Sequence, residues 1–203
     1  MESSHTKTQS TWTWRDRLGA IAVRCAYRRM HYSVQPGLYS VNLPGPESPV
    51  FVSANYKLSF DHLRRALKGI PAWILVLDTK GINVWCAAGK GTFGTEELIN
   101  RIDVVHLKDK VTHRQIIVPQ LGAPGVAAHK ILQQSGFRVI YGPVRARDIP
   151  RFLDANMKAD ADMRRVQFHL ADRLAVAPVE IIGSIHIAII LALVFALIAA
   201  RRN

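Results

Sequence analysis

Apolar positions along the chain follow three patterns. Residues 73–77 (WILVL), 116–118 (IIV) and 138–141 (RVIY) are short apolar runs bounded by turn-forming residues. Such runs predict strands buried on both faces. Residues 166–168 (VQF) are a shorter candidate for a last strand. Elsewhere apolar residues recur at helical spacing. Leu98, Ile99, Ile102 and Val105 share a face behind Thr95, the expected N-cap, with Glu96 and Glu97 at the positive end of the helix dipole. Helices are also expected over 60–67, capped by Ser59 and stopped at Gly69-Ile-Pro71, over 126–134, stopped by Gly136, and around 149–155. Residues 14–30 place Leu18, Ile21, Ala22 and Cys25 opposite arginines, an amphipathic helix with Cys25 as a small core residue. The Pro-, Gly- and Ser-rich stretch 35–49 reads as a loop.

The third pattern is the largely apolar run 179–200, with one carboxylate, Glu180, at its edge and one histidine. At about 1.5 Å per residue it reaches about 33 Å, enough for a bilayer core of about 30 Å. Arg201-Arg202 follow it as a stop. His186, inside the run, is a candidate functional residue by its position. Strands alternating with helices predict an α/β fold with a doubly wound parallel sheet, whose ligands bind beyond the carboxyl ends of the strands. The chain then divides into an N-terminal amphipathic helix and linker (1–36), an α/β domain (37–177) and a transmembrane helix (178–200).

Charge sharpens this division. Lysine and arginine outnumber aspartate and glutamate 27 to 15, for a net charge of +12. Arg145, Arg147, Arg151, Arg164, Arg165 and Arg173 precede the apolar run. No nucleic-acid motif accompanies them, and a basic cluster beside a span fits the cytoplasmic side of a membrane. The polar start carries no signal-peptide h-region, so the α/β domain is expected to face the cytoplasm from the inner membrane. Cys25 and Cys86 lie far apart without a CxxC, which excludes a cysteine-built iron–sulfur cluster or ordinary zinc site.

The candidate chemistry lies in residues 81–95, GINVWCAAGKGTFGT, between a buried strand and a helix. Small residues here allow a large flat ligand to approach the backbone, Trp85 and Phe93 offer apolar contact, and Cys86 offers a soft sulfur. The GKGT string lacks the spacing of a phosphate loop. As a nucleophile Cys86 has no local base, and a structural cysteine remains an alternative. The turns at Gly122 to Gly125 and Gly142-Pro143 are either ligand contacts at strand ends or ordinary tight turns.

NVWCAAGK closely resembles the cap-helix motif of the HgcA family, the corrinoid proteins of microbial mercury methylation, and of their corrinoid iron–sulfur relatives. SPVFVSANYKLSFDHLR (48–64), AWILVLDTKGINVWCAAGKGTFGTEELINRI (72–102), PQLGAPGVAAHK (119–130) and SGFRVIYGPVRARDIPRFL (135–153) extend the resemblance. It implies a flavodoxin-like domain binding a cobalamin-type corrinoid, with Cys86 as catalytic residue and lower axial ligand of the cobalt. The cofactor-binding positions it implies are Asn83, Val84, Trp85, Cys86, Ala87, Ala88, Gly89, Lys90, Gly91 and Thr92. For Lys90, a contact to the corrinoid and a solvated charge both stand. The implied activity is a corrinoid-dependent methyltransferase, taking a methyl group from a methyl-folate-linked donor and passing it to mercury(II) to form methylmercury. The implied reductant is an HgcB-like ferredoxin with two 4Fe–4S clusters, and the span is expected to be the first of several. One alternative is a related membrane corrinoid protein of acetyl-CoA-pathway-like one-carbon metabolism. Another, of a different class, is a membrane-tethered basic binding module.

Overall fold

Alternation along the buried strands sorts their side chains onto two faces of a single sheet. The computed structural model describes residues 5–202. Its elements run β1 (Thr6–Thr8), α1 (Trp14–Arg24), β2 (Gly37–Val41), β3 (Val50–Ala54), α2 (Lys57–Ala66), β4 (Ala72–Leu77), α3 (Val84–Gly89), α4 (Thr95–Val104) and α5 (Leu107–Lys110). They continue with β5 (Gln115–Val118), α6 (Ala128–Ser135), β6 (Arg138–Tyr141), α7 (Ile149–Asp154), α8 (Ala161–Arg164) and α9 (Leu170–Arg202). The sheet order is β1-β2-β4-β3-β5-β6.

Strands β4, β3, β5 and β6 are mutually parallel, with Phe51 of β3 opposite Ile74 on one side and Ile117 on the other. The chain steps from β3 to β4 in one direction and then to β5 on the other side, so the crevice between β3 and β5 is a topological switch point. One sheet face, with Val52, Leu75, Leu77, Ile116 and Val118, packs under Ala87, Phe93, Leu98, Ile102 and Ile131 from α3 to α6. The other, with Phe51, Ile74, Val76 and Ile117, packs under Phe60, Leu63 and Phe152 from α2 and α7.

The expected strands at 73–77, 116–118 and 138–141 are present. The sheet is mixed, however, because β2 pairs antiparallel with β4 and β1 runs parallel to β2. Strand β2 lies inside the expected loop 35–49, where flanking Pro and Gly masked five residues with ladder partners in β4. Residues 166–168 form no strand and run as irregular backbone into α9.

Helix starts differ as well. Helix α2 begins at Lys57, so Ser59 lies within it and caps nothing. Gly94, not Thr95, caps α4. The Thr95 hydroxyl instead accepts the Ala127 N–H at 2.8 Å and meets the Gly125 carbonyl at 3.3 Å, joining α4 to the turn before α6. Helix α1 stops at Arg24, because Ala26 and Arg28 take left-handed backbone conformations. Its face is also reversed: Asp16, Ala20 and Val23 are buried, while Leu18 and Ile21 are exposed. Cys25, its C-cap, is only partly buried.

The reversal has an electrostatic cause. The Asp16 carboxylate pairs with Lys57 at 2.6 Å and Arg64 at 2.8 Å, and Asp61 pairs with the same two cations at 2.6 and 2.7 Å. These groups are largely buried, and ions in low dielectric stay charged only when paired. Burial opposes the Asp16 charge, but hydrogen bonds from Lys57, Thr13 and Arg64 outweigh it and hold its pKa far below the usual carboxylate range. Once Asp16 faces inward to this network, Leu18 and Ile21 must face outward.

Candidate functional site

Helix α3 rises from the carboxyl end of β4, and the loop that aims it is fixed by one buried side chain. Asn55, just after β3, accepts the Thr79 N–H at 3.1 Å, the Thr79 hydroxyl at 2.8 Å and the Gly81 N–H at 2.9 Å. The Thr79 hydroxyl also lies 2.7 Å from the Ile82 carbonyl, so that its one proton is shared between the two acceptor oxygens. From the other side Glu97 of α4 accepts the Asp78 N–H at 2.8 Å, held in turn by Arg101 at 2.7 Å. Lys80 and its hydrogen bond hold the Asp78 carboxyl below its ordinary value.

Asn83 caps α3, accepting the Cys86 N–H at 3.0 Å through Oδ1 and pointing Nδ2 at the Cys86 sulfur at 3.5 Å. Val84, Ala87 and Ala88 are buried beneath, so the opposite face of the helix carries Trp85, Cys86, Gly89 and Lys90 to the surface. Gly91, at φ +79°, ends the helix in the left-handed region. It returns the chain so that the Phe93 N–H donates to the Ala87 carbonyl at 3.1 Å. Thr92 is half-buried, with its hydroxyl 3.5 Å from the same carbonyl. Phe93, expected as a ligand contact, is fully buried instead and serves as the wedge under α3.

The turn at Gln120–Gly125 is packed against that wedge. A Cβ on Gly122 would lie 2.4 Å from the Phe93 ring, and one on Gly125 2.1 Å from the Phe93 carbonyl oxygen. These glycines support the cap helix by close approach. Gly142 similarly lies against Ile117, where a Cβ would come within 2.9 Å.

Beside α3, a cleft of about 910 Å³ opens over the switch point between β3 and β5, with Asn83, Val84 and Trp85 on its rim. Its polar lining includes His62, Arg65, Arg145 and Arg147. Burial, reinforced by Arg24 and Arg65, pushes the His62 pKa down and favours the neutral ring. Arg145 is anchored to Asp172 at 2.6 Å and to the Gln167 carbonyl at 2.7 Å, and Trp85 tilts toward Phe168 with 6.3 Å between centroids. The segment entering α9 thus lies against the cap.

The structure gathers residues 83–92 into one helix and its turn, with Cys86 at the exposed centre. Thr79, His62 and Arg65 carry no signal in the sequence pattern, and Asn55 only its place directly after an apolar strand. Glu97 reads there as a helix-dipole charge, and Arg145 and Arg147 as part of a basic cluster. Among the described residues no group of three or more His, Cys, Asp and Glu side chains is placed to hold a metal ion. Residues Asp172–Ala200 of α9 form one helix long and apolar enough to cross a membrane, with no part of its most apolar stretch buried. The His186 side chain lies outside the described residues.

Fold and site thus define a parallel-dominated α/β domain that presents one soft sulfur on a short cap helix at its switch-point end. Residues 25–153 match the family model described as CO dehydrogenase/acetyl-CoA synthase delta subunit, and the chain belongs to that family. It is 33% identical over 130 residues to the acetyl-CoA decarbonylase/synthase complex subunit gamma of Archaeoglobus fulgidus, covering 63% of this chain and 27% of that one. It is 32% identical over 126 residues to the corrinoid/iron-sulfur protein large subunit of Moorella thermoacetica, covering 61% and 28%. The match thus spans little more than a quarter of each relative's length.

Proposed function

We propose that this chain binds a corrinoid on α3 and transfers methyl groups in one-carbon metabolism, and that Cys86 would hold the cobalt through its sulfur. The observation that carries this reading is the solvent-facing Cys86 thiol on a buttressed cap helix inside the family-matched segment. The residues present fit such a group. Sulfur is a soft donor suited to a transition metal. Gly89 leaves open space where a Cβ would stand, and the exposed Trp85 offers an apolar surface beside it.

When bound, the corrinoid supplies a cobalt centre able to accept and release a methyl group. The chain's part is positional. Asn83 fixes the first turn of α3 and faces the sulfur, while Ala87, Ala88 and Phe93 set the height of the helix above the sheet. Trp85, Gly89 and Lys90 form the contact surface, with Gly91 and Thr92 at its edge. Transfer to a metal-bound site asks for no general acid or base from the protein. The relatives' names place them in acetyl-CoA complexes and in a corrinoid/iron-sulfur protein, which supports protein partners; an external low-potential reductant of ferredoxin type is our expectation for a chain with two separated cysteines. We place residues 178–200 of α9 in the inner membrane, with residues 37–177 on its cytoplasmic side.

The relatives favour one-carbon metabolism over mercury(II), the acceptor that the sequence resemblance put first. Methyl transfer to mercury(II) is the second reading, favoured by the NVWCAAGK cap and the apolar helix after the domain. An HgcB-like reductant belongs with that reading.

The test loads the full chain in detergent with cobalamin under anaerobic, reducing conditions and compares visible and cobalt EPR spectra of wild type and Cys86→Ala. A sulfur-ligated signature lost in the variant is expected. Identical spectra, or no cofactor uptake by folded protein, overturn the assignment. Protein charged with labelled methyl groups is then offered mercury(II), and the yield of methylmercury separates the two acceptors.

A further inference from the structure

Of the elements that lie outside the family-matched segment 25–153 (β1, α1, α8 and α9), α1 and α9 pack against each other. Helix α1 turns two unlike faces outward and inward. Inward, Asp16 enters the ion network, Gly19 lies under the Tyr32 ring, and Ala20 and Val23 are buried. The Trp12 indole N–H donates to the Asp61 carbonyl at 2.8 Å, fastening the start of the helix to α2. This attachment leaves α1 no freedom to roll. Outward, Trp14, Leu18 and Ile21 follow one another at helical spacing and are 66%, 55% and 57% exposed.

The exposed charges that α1 and its flanking residues carry all have one sign. Arg15, Arg17, Arg28 and Arg29 are exposed, and Tyr27 lies exposed among them. Between residues 5 and 36 the one carboxylate is Asp16, and it is spent in the buried network. An apolar stripe with tryptophan at its end, flanked by arginines and free of exposed acid, has the chemistry of an interfacial helix on an anionic bilayer. Helix α1 also packs against α9, the helix that carries the candidate span.

We propose that α1 is a second membrane contact, lying in the plane of an anionic phospholipid surface with Trp14, Leu18 and Ile21 among the acyl chains and Arg15 and Arg17 at the phosphates. This rests on the reading of α9 as a span. Because the α1 attachment is rigid, the two contacts together fix the tilt of the α/β domain, and with it the direction in which α3 faces.

The test reconstitutes the full chain in vesicles of phosphatidylcholine with and without phosphatidylglycerol, with acyl-chain-brominated lipid as a contact quencher of tryptophan emission. Comparing wild type with Trp14→Phe isolates Trp14 from Trp12, Trp73 and Trp85, and circular dichroism checks that the variant folds. The expected result is a quenched component in wild type that Trp14→Phe lacks. It should grow with phosphatidylglycerol, and Arg15→Glu with Arg17→Glu should abolish most of that growth. If the chain floats with vesicles but lipid quenching is the same in wild type and Trp14→Phe, the interfacial helix is overturned while the span stands. Trp14 shielded from both brominated lipid and aqueous iodide also overturns it, and points to a second copy or a protein on that face. A folded chain that fails to float overturns the span and this proposal together.

Discussion

Helix α3 carries Cys86 and helix α1 is closed by Cys25, yet the two helices are fastened by different means. Helix α1 is held by charge: Asp16 reaches Lys57 and Arg64, both also bound to Asp61. Helix α3 itself makes neutral contacts, the Asn83 cap, two buried alanines, Phe93 and the glycine turn behind it, and the Glu97–Arg101 pair acts only on the loop before it. Cys86 sits in the first turn of the neutral helix and is exposed, whereas Cys25 closes the charged one and is half-buried. On the proposed reading, a helix that would hold a redox-active ligand gains from contacts of its own that do not titrate. One that only locates the domain can rely on ions.

The largest effect on this contrast should come from Arg64→Met. It leaves Asp16 and Asp61 sharing one lysine in a buried setting, a loss of about 3–5 kcal/mol. This should appear as a lower urea midpoint, while the folded fraction still takes up cobalamin. Equal damage to uptake and stability would show that the two helices are not independent.

The acid side gives the same contrast without mutation. A depressed carboxyl stabilises the fold fully above its ordinary value of 3.8 and loses that contribution as pH falls toward its lower folded value. Wild type should therefore lose stability below about pH 4. Asp16→Asn should start less stable but flatten that limb in urea titrations across the same pH range.

Gly125→Ala tests the neutral side. Its Cβ meets backbone at Phe93 and Ala88, at 2.1 and 3.2 Å, so something must shift. About 1–3 kcal/mol should be lost, with cobalamin affinity falling further than in Arg64→Met. The smallest effect belongs to Asn83→Ala, about 1 kcal/mol for the lost cap, seen in thermal melts together with a changed sulfur-ligation band.

What the sequence disclosed follows the same division between local and long-range causes. Strands β4, β5 and β6 were legible because a strand buried on both faces must be apolar throughout. Strand β2 was hidden because its identity depends on pairing with β4, not on its own flanks. Residues 83–92 were legible as a string because the cap is a contiguous helix and turn. Asn55, Thr79 and Glu97 were not, since each acts on a backbone distant in sequence. The facing of α1 was misread because its apolar residues look like core until Asp16 is seen to have cationic partners on α2.

The sheet ends in β1 on one side and β6 on the other. Strand β1 has three residues, with Thr6 and Lys7 exposed, and β6 has four, beginning at exposed Arg138. Short, charged margins give a neighbouring chain little backbone on which to add a strand. Fibrillar growth through the sheet is thereby blunted. Chains made in excess and away from lipid should clump through the greasy side of α9, giving amorphous precipitate that detergent dissolves, not ordered cross-β aggregate.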